Sequence, residues 1–256
     1  MVDIFSNKNG LIYKDISCII LDKDGTITDS HFYWSEIIAR RSKKLIHKFK
    51  LDNSLYDLIA ESMGLDISTN KLLPEGPIAL KSRSEVVKKL EITLKNNNIK
   101  IAQESILNVF AEVHNEFKKD SDKFIKPIHN AFNFIKKCKK FDLKLALISS
   151  DTEINSKKAL KFLNLDTYFD MVLGGDSGFG NKSDGNSAIY VNKNFKLNPN
   201  QVITIGDAPT DNQMAKNANL QGSILVATGQ ISLIELLKIN KFSINNLSEL
   251  TFVKSK

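Results

Sequence analysis

The chain has 256 residues, 42% hydrophobic and 25% charged, with 12 Gly and 5 Pro. That composition excludes a fibrous or wholly disordered protein and allows either one large domain or a core with a smaller partner. The 36 basic residues outnumber the 29 acidic ones, for a formal charge of +7, but the lysines fall in scattered doublets such as Lys43-Lys44, Lys88-Lys89, Lys118-Lys119 and Lys136-Lys137. They lack the aromatic interleaving of a strand-binding groove, so no nucleic-acid partner is expected.

Cys18 and Cys138 fit neither a disulfide framework nor a zinc spacing, which suits a reduced compartment. Asp3 and Lys8 interrupt the N-terminal MVDIFSNKNG, and no apolar run approaches the roughly 18 residues of a membrane helix. A cytoplasmic chain with no membrane partner is the expectation.

The first predicted strand is the apolar run Ile16 to Leu21, closed by Asp22. From about 30 to 126 the pattern turns helical. Ile37, Leu45 and Phe49 recur at multiples of four, Leu55, Leu58, Ile59 and Met63 line one face, and Ile106, Val109, Phe110, Val113 and Phe117 line another. Ser54 and Ser84 are expected as N-caps and Gly64 as a stop. Pro127 marks the return, and from there helices and strands alternate. They run as a helix at about 130 to 140, the strand LKLALI, a helix at about 153 to 163, the strand YFDMVLGG, a helix near 186 to 194 and the strand QVITIG. A helix at about 209 to 218, the strand SILVA, a helix at about 231 to 238, and a terminal FSINN and LSELTFV complete the chain. Apolar β-branched runs separated by helices imply a parallel sheet. The expected fold is therefore α/β, with residues 1–29 and 127–256 forming a discontinuous Rossmann-like core and 30–126 an inserted helical domain.

Parallel α/β sheets bind ligands beyond the carboxyl ends of their strands. The residues there are Asp22-Lys23-Asp24-Gly25-Thr26, Ser149-Ser150-Asp151 and Gly206-Asp207-Ala208-Pro209-Thr210-Asp211, with Lys182 in a polar Gly-rich loop between the last two. Carboxylates gathered this closely repel one another unless a cation is present, and hard oxygen donors suit Mg²⁺. The loop GGDSGFGNKS fails as a phosphate-binding P-loop because Asn181 separates Gly180 from Lys182. His31, His47, His114 and His129 show no paired metal-ligand spacing.

DKDGT, a Ser closing an apolar strand, a downstream Lys and GDAPTD resemble the four motifs of the haloacid dehalogenase (HAD) superfamily, and the helical insertion resembles the C1-type cap of its phosphoglycolate phosphatase and β-phosphoglucomutase group. The resemblance implies a Mg²⁺-dependent phosphoric monoester hydrolase acting on a small phosphorylated metabolite through an aspartyl-phosphate. It implies Asp22 as nucleophile, Asp24 as acid and base, and Gly25, Ser149, Ser150 and Lys182 as phosphate-binding residues. The metal ligands implied are Asp22, Asp24 through its backbone carbonyl, Asp207 and Asp211. Asp24 favours phosphomonoester chemistry over dehalogenation. The chain departs from the group in lacking Pro after Lys182. A sugar phosphomutase is the alternative reaction, and an idle binding module of the same fold is a third reading. Trp34, with Phe32 and Tyr33, packs the cap or walls its cavity. Arg40, Arg41, Lys81 and above all Arg83 are candidate contacts for an anionic substrate group, against a solvated helix face. A monomer or small homo-oligomer is expected.

Overall fold

The computed structural model describes residues 1–78 and 80–255. Its elements run β1 (Val2–Ser6), β2 (Gly10–Ile16), β3 (Cys18–Leu21), α1 (Ser30–Phe49), α2 (Tyr56–Ser62), β4 (Leu65–Asp66), β5 (Lys71–Leu72), α3 (Arg83–Asn96), α4 (Gln103–Phe117) and α5 (Ala131–Lys140). There follow β6 (Lys144–Ile148), α6 (Glu153–Phe162), β7 (Met171–Leu173), α7 (Asn186–Phe195), β8 (Val202–Gly206), α8 (Pro209–Asn217), β9 (Gly222–Leu225), α9 (Leu233–Ile239) and β10 (Leu250–Lys254). The chain divides into two compact units, one of Met1–Asp29 with Pro127–Lys256 and one of Ser30–Lys126. Among the described residues no helix is long and apolar enough to cross a membrane.

The first unit is built on five parallel strands in the order β7-β6-β3-β8-β9. Both faces of this sheet are covered, which is why its strands read as mostly apolar runs rather than as alternating ones. Ile19 and Leu21 of β3 face a cluster holding Phe134, Ile135 and Cys138 of α5, while Cys18 and Ile20 face another holding Val191 of α7 and Met214 of α8. From β3 the chain moves outward to β6 and β7, then returns to the other side of β3 for β8 and β9. Strand order therefore reverses beside β3, where a crevice opens at the carboxyl ends. Leu21 pairs with both Leu147 and Ile205, so Asp22, Ser149 and Asp207 leave the sheet at nearly the same level.

A second, antiparallel sheet of order β10-β1-β2 lies in the same unit and is absent from the sequence reading. Its residues Val2, Ile4, Ile12, Ile16 and Phe252 join the core cluster that also holds Ile19 and Leu21.

The helical unit packs α1 to α4 around Leu45, Ile59, Leu90 and Phe110. It carries one short antiparallel ladder, with Leu65 opposite Leu72, where the sequence showed little sign of strands. Gly64, at φ +101°, ends α2 as expected. The cap of α3 is Ser82 rather than Ser84: Ser82 Oγ accepts the Glu85 N–H at 3.3 Å while Glu85 accepts the Ser82 N–H at 2.9 Å. A capping box needs an acceptor three residues on, which Ser82 finds in Glu85 and Ser84, facing Val87, does not. Ser54 likewise sits inside a short 3₁₀ turn whose cap is Asp52, its carboxylate accepting the Ser54 N–H at 2.8 Å.

Candidate active site

Asp22 follows the last residue of β3, and its N–H donates to Ile205 O at 2.9 Å, locking the exit of the strand to β8. Only 7% exposed, it meets the Lys182 ammonium directly, and the same ammonium lies 2.7 Å from Asp211 Oδ1. Asp22, Asp207 and Asp211 bring one carboxylate oxygen each within 4.8 Å of one another. Asp211 is fixed in the first turn of α8, where its Oδ2 accepts the Ala208 N–H at 3.2 Å and its carbonyl accepts Thr204 Oγ1 at 3.0 Å. Ala208, not Asp207, occupies the N-cap position of that helix, so Asp207 is not spent on capping.

Asp207 has no cation within ion-pair distance among the described residues, since Lys182 pairs only with Asp22 and Asp211. Burial, then repulsion from Asp22 and Asp211, raises its carboxyl well above the usual range. Burial likewise raises Asp22 to about 7 against the opposing pull of Lys182. Burial would lower Lys182, but Asp211 and Asp22 outweigh it and hold the ammonium up. Three carboxylates against one ammonium leave negative charge at a buried point. The oxygen donor set fits a hard divalent cation such as Mg²⁺, and Asp22, Asp207 and Asp211 are the side chains that could hold one.

Room for Asp207 depends on two glycines. A Cβ on Gly229 would stand 1.6 Å from Asp207 Oδ2, and one on Gly25, whose φ is +80°, would stand 2.3 Å from the same oxygen. The Gly25 N–H donates to Thr28 O at 2.8 Å. That amide is committed to the turn, and beside Asp207 Gly25 supplies space.

The Asp24 side chain stands outside the carboxylate trio: its Oδ1 accepts Thr28 Oγ1 at 2.8 Å and its Oδ2 lies 3.0 Å from Lys23 Nζ. Lys23 is a functional candidate that the sequence reading passed over. It is 6% exposed and also donates to Asp151 Oδ2 at 2.7 Å. Burial opposes the charge on both, but Asp24 and Asp151 hold Lys23 up and Lys23 holds Asp151 down. The signal in sequence was a charged residue between two motif aspartates where a buried strand exit favours an apolar one. Ser149 is buried just past β6, and its Oγ accepts the Asp151 N–H at 3.1 Å, which leaves its own O–H to donate. Ser150 is exposed.

Trp34 and Arg83 belong to the helical unit. Trp34 is half-buried against that unit's core, edge-on to Tyr33 at 5.6 Å. Arg83 is the exposed first residue of α3. Cys18 and Cys138 are buried and unpaired.

The model of the family described as Haloacid dehalogenase-like hydrolase matches residues 19–225, most of the chain and every strand exit described above. The chain belongs to this family. Among haloacid dehalogenase-like hydrolases and their kin, it is 26% identical over 209 residues to a phosphoglycolate phosphatase of Aquifex aeolicus, covering 80% of this chain and 83% of that one. It is 25% identical over 156 residues to a phosphorylated carbohydrates phosphatase of Thermotoga maritima, covering 54% and 71%. A candidate β-phosphoglucomutase of Thermotoga maritima superposes with a TM-score of 0.62 at 20% identity, over 91% of this chain and 96% of its own. A candidate phosphatase of Clostridium difficile gives 0.67 at 17%, over 91% and 95%. At these identities the two solved structures speak to the fold alone.

Proposed function

We propose that this chain is a Mg²⁺-dependent phosphatase that hydrolyses the monoester of a small phosphorylated metabolite, phosphoglycolate or a sugar phosphate, through a phosphoryl group carried on Asp22. The observation that carries the reading is the Lys182 ammonium in contact with both Asp22 and Asp211, with Asp207 beside them at the carboxyl end of the sheet. The named activities of the Aquifex aeolicus and Thermotoga maritima relatives support it.

Phosphoryl transfer asks for an in-line nucleophile and compensation of charge on three equatorial oxygens. A carboxylate oxygen of Asp22 attacks phosphorus, the ester P–O bond breaks, and Asp24 gives its proton to the departing oxygen. Asp24 then takes a proton from the water that attacks the same phosphorus, the Asp22–phosphoryl bond breaks, and inorganic phosphate leaves with Asp22 restored. Lys182 neutralises the nucleophile and the phosphoryl oxygens, and the Ser149 O–H donates to one of those oxygens. Thr28 and Lys23 hold Asp24 by its two oxygens. Mg²⁺, held by Asp22, Asp207 and Asp211, supplies Lewis-acid compensation of the phosphoryl charge when bound.

The test is phosphate release over a panel of phosphate monoesters with and without Mg²⁺. Release from at least one small ester that requires Mg²⁺ is expected. Isomerisation of a sugar 1-phosphate with little release would assign a mutase instead, and binding without turnover an idle module.

Gly229→Ala places a methyl group on the Asp207 carboxylate. A displacement of about 1 Å at a reacting centre costs roughly 100-fold in turnover, while the overpacking costs only about 1–3 kcal/mol. Turnover within about threefold of wild type would contradict this role for Asp207.

The raised carboxyls also predict a pH dependence. A carboxyl held above its ordinary value of 3.8 keeps a proton in the folded protein that the unfolded chain releases. Its contribution is therefore full below 3.8 and is lost as pH rises through the folded value, about 7 for Asp22. Mg²⁺ binds the deprotonated carboxylates, so it should raise Tm more at about pH 8 than at about pH 5. Equal gains at the two pH values would contradict the assignment.

A further inference from the structure

The basic residues toward the end of α1 fall into two sets. Arg40 pairs with Glu36 and Asp120, Lys44 with Glu112 and Glu116 of α4, and Lys48 with Glu112. Lys43, His47 and Lys50 follow at four- and three-residue spacing on another face. All three are exposed and, among the described residues, none has a carboxylate within ion-pair distance. They line one cavity of about 530 Å³, together with Ile46, Leu51 and Tyr56, and none of the residues lining it is acidic. Ile46 is 8% exposed, and Leu51 and Tyr56 pack against the core of the helical unit, so the apolar wall of the cavity is fixed by packing.

The end of a helix accounts for only part of this. Its dipole favours cations in the last turn whichever face they take. The carbonyls that a cation could cap are already used, because Ile46 O accepts the Leu51 N–H at 3.0 Å and His47 O accepts the Lys50 N–H at 3.4 Å. Lys50 itself has φ +51°, the left-handed conformation that strains an L side chain and that Gly or Asn commonly supplies where a helix closes. At the other described positions of positive φ that are not glycine, the residue is Asn or Asp, apart from Lys196. A strained lysine points to a task for its side chain, and here that side chain forms part of the cavity's rim. The cavity is also polarised along its length. Burial, then the charges of Asp57 and Glu36, raise the Tyr56 hydroxyl, so negative charge lies toward Tyr56 and positive charge toward α1.

We propose that this cavity binds a small amphipathic carboxylate, a short hydrocarbon body ending in one carboxylate group. The body lies along Ile46, Leu51 and Tyr56, and the carboxylate meets the ammonium groups of Lys43 and Lys50 beside the His47 ring. Small-molecule sites have this make-up and size, an apolar lining of roughly 300–1,000 Å³ with a few polar groups that fix orientation. The proposal does not rest on the phosphatase reading, since every residue of the site belongs to the helical unit and none takes part in the chemistry above.

The full chain, labelled with ¹³C at histidine, is titrated with octanoate at neutral pH while the ring resonances of His47 are followed. His47→Gln assigns them among the four histidines by their loss. A saturable shift is expected, with affinity falling about tenfold when Lys43→Gln and Lys50→Gln are combined. Octanol keeps the body without the charge and acetate the charge without the body, and each should bind at least about tenfold more weakly than octanoate. Lys44→Gln is the control, because Glu112 and Glu116 occupy that ammonium, and its affinity should stay within about twofold of wild type. No saturable shift, octanol binding as tightly as octanoate, or a loss in Lys44→Gln equal to that of the double variant would overturn the proposal.

Lys50→Gly separates binding from structure. Glycine takes a positive φ without strain, so Tm should hold or rise while the affinity for octanoate falls. A lowered Tm would make Lys50 a structural residue and overturn the proposal too.

Discussion

Asp22→Asn is expected to lower phosphate release by roughly 10⁴-fold or more while leaving the protein as stable as before. The rate loss follows because an amide oxygen is a poor nucleophile toward phosphorus, and removal of a covalent nucleophile in enzymes costs on the order of 10⁴ to 10⁶. The retained stability follows from the local charge. Asp22 is buried, its carboxyl is raised by that burial, and Asp211 and Asp24 add repulsion. An isosteric neutral amide removes the repulsion, opens no cavity and leaves the pairing of Lys182 with Asp211 at 2.7 Å. An unchanged or higher Tm with lost turnover is the expected pair of results. Turnover above about one hundredth of wild type would remove Asp22 from the chemistry.

Lys182→Met is expected to damage stability and rate together. Its side chain is 6% exposed, and its ammonium neutralises Asp22 and Asp211 at once. Removing one partner of a buried charged set leaves the others uncompensated, at a cost of about 3–5 kcal/mol. For a chain of this size that is a fall in Tm on the order of 10 °C. Asp211 and Asp22 hold Lys182 above its ordinary value, so the ammonium stays charged at neutral pH, but Lys182 also pulls down Asp22, which lies at about 7, so the destabilisation should grow between about pH 6 and pH 8 as Asp22 is asked to ionise without its partner. Turnover should fall about 10²- to 10³-fold, the usual loss for one electrostatic stabiliser of a transition state. A variant with wild-type Tm would contradict the ion-pair geometry.

Much of this was legible because parallel strands buried on both faces leave a simple trace. Ile16 to Leu21, Leu143 to Ile148 and Val202 to Ile205 are apolar runs broken only by Ser17, Lys144 and Thr204, and each is followed by the polar residues that gather at the crevice. Sheet order sets β3 between β6 and β8, and this turns three separate sequence motifs into one cluster. The departure after Lys182 did not hide its position, since the ammonium still reaches Asp22 and Asp211.

What escaped the sequence reading depends on pairing across long separations or on competition between neighbours. β1 is short, carries Asp3, pairs with β2 through register shifts, and finds its other partner in β10 at the far end of the chain. Nothing local in MVDIFS announces that. The Lys23–Asp151 contact at 2.7 Å likewise exists only because β3 and β6 are neighbours. Ser82 displaced Ser84 as a cap because Glu85 answers one and not the other.

The central claim is that the phosphoryl group resides on Asp22 between two chemical steps. Asp24→Asn should slow the second step more than the first once a substrate with a good leaving group is used, since water then lacks its base. Turnover of that variant is quenched in acid and the peptide containing Asp22 is weighed by mass spectrometry. The account predicts a peptide carrying one phosphoryl group at Asp22, discharged by hydroxylamine. Phosphate release that proceeds with Asp22 never modified, or with the phosphoryl group on another residue, would contradict it.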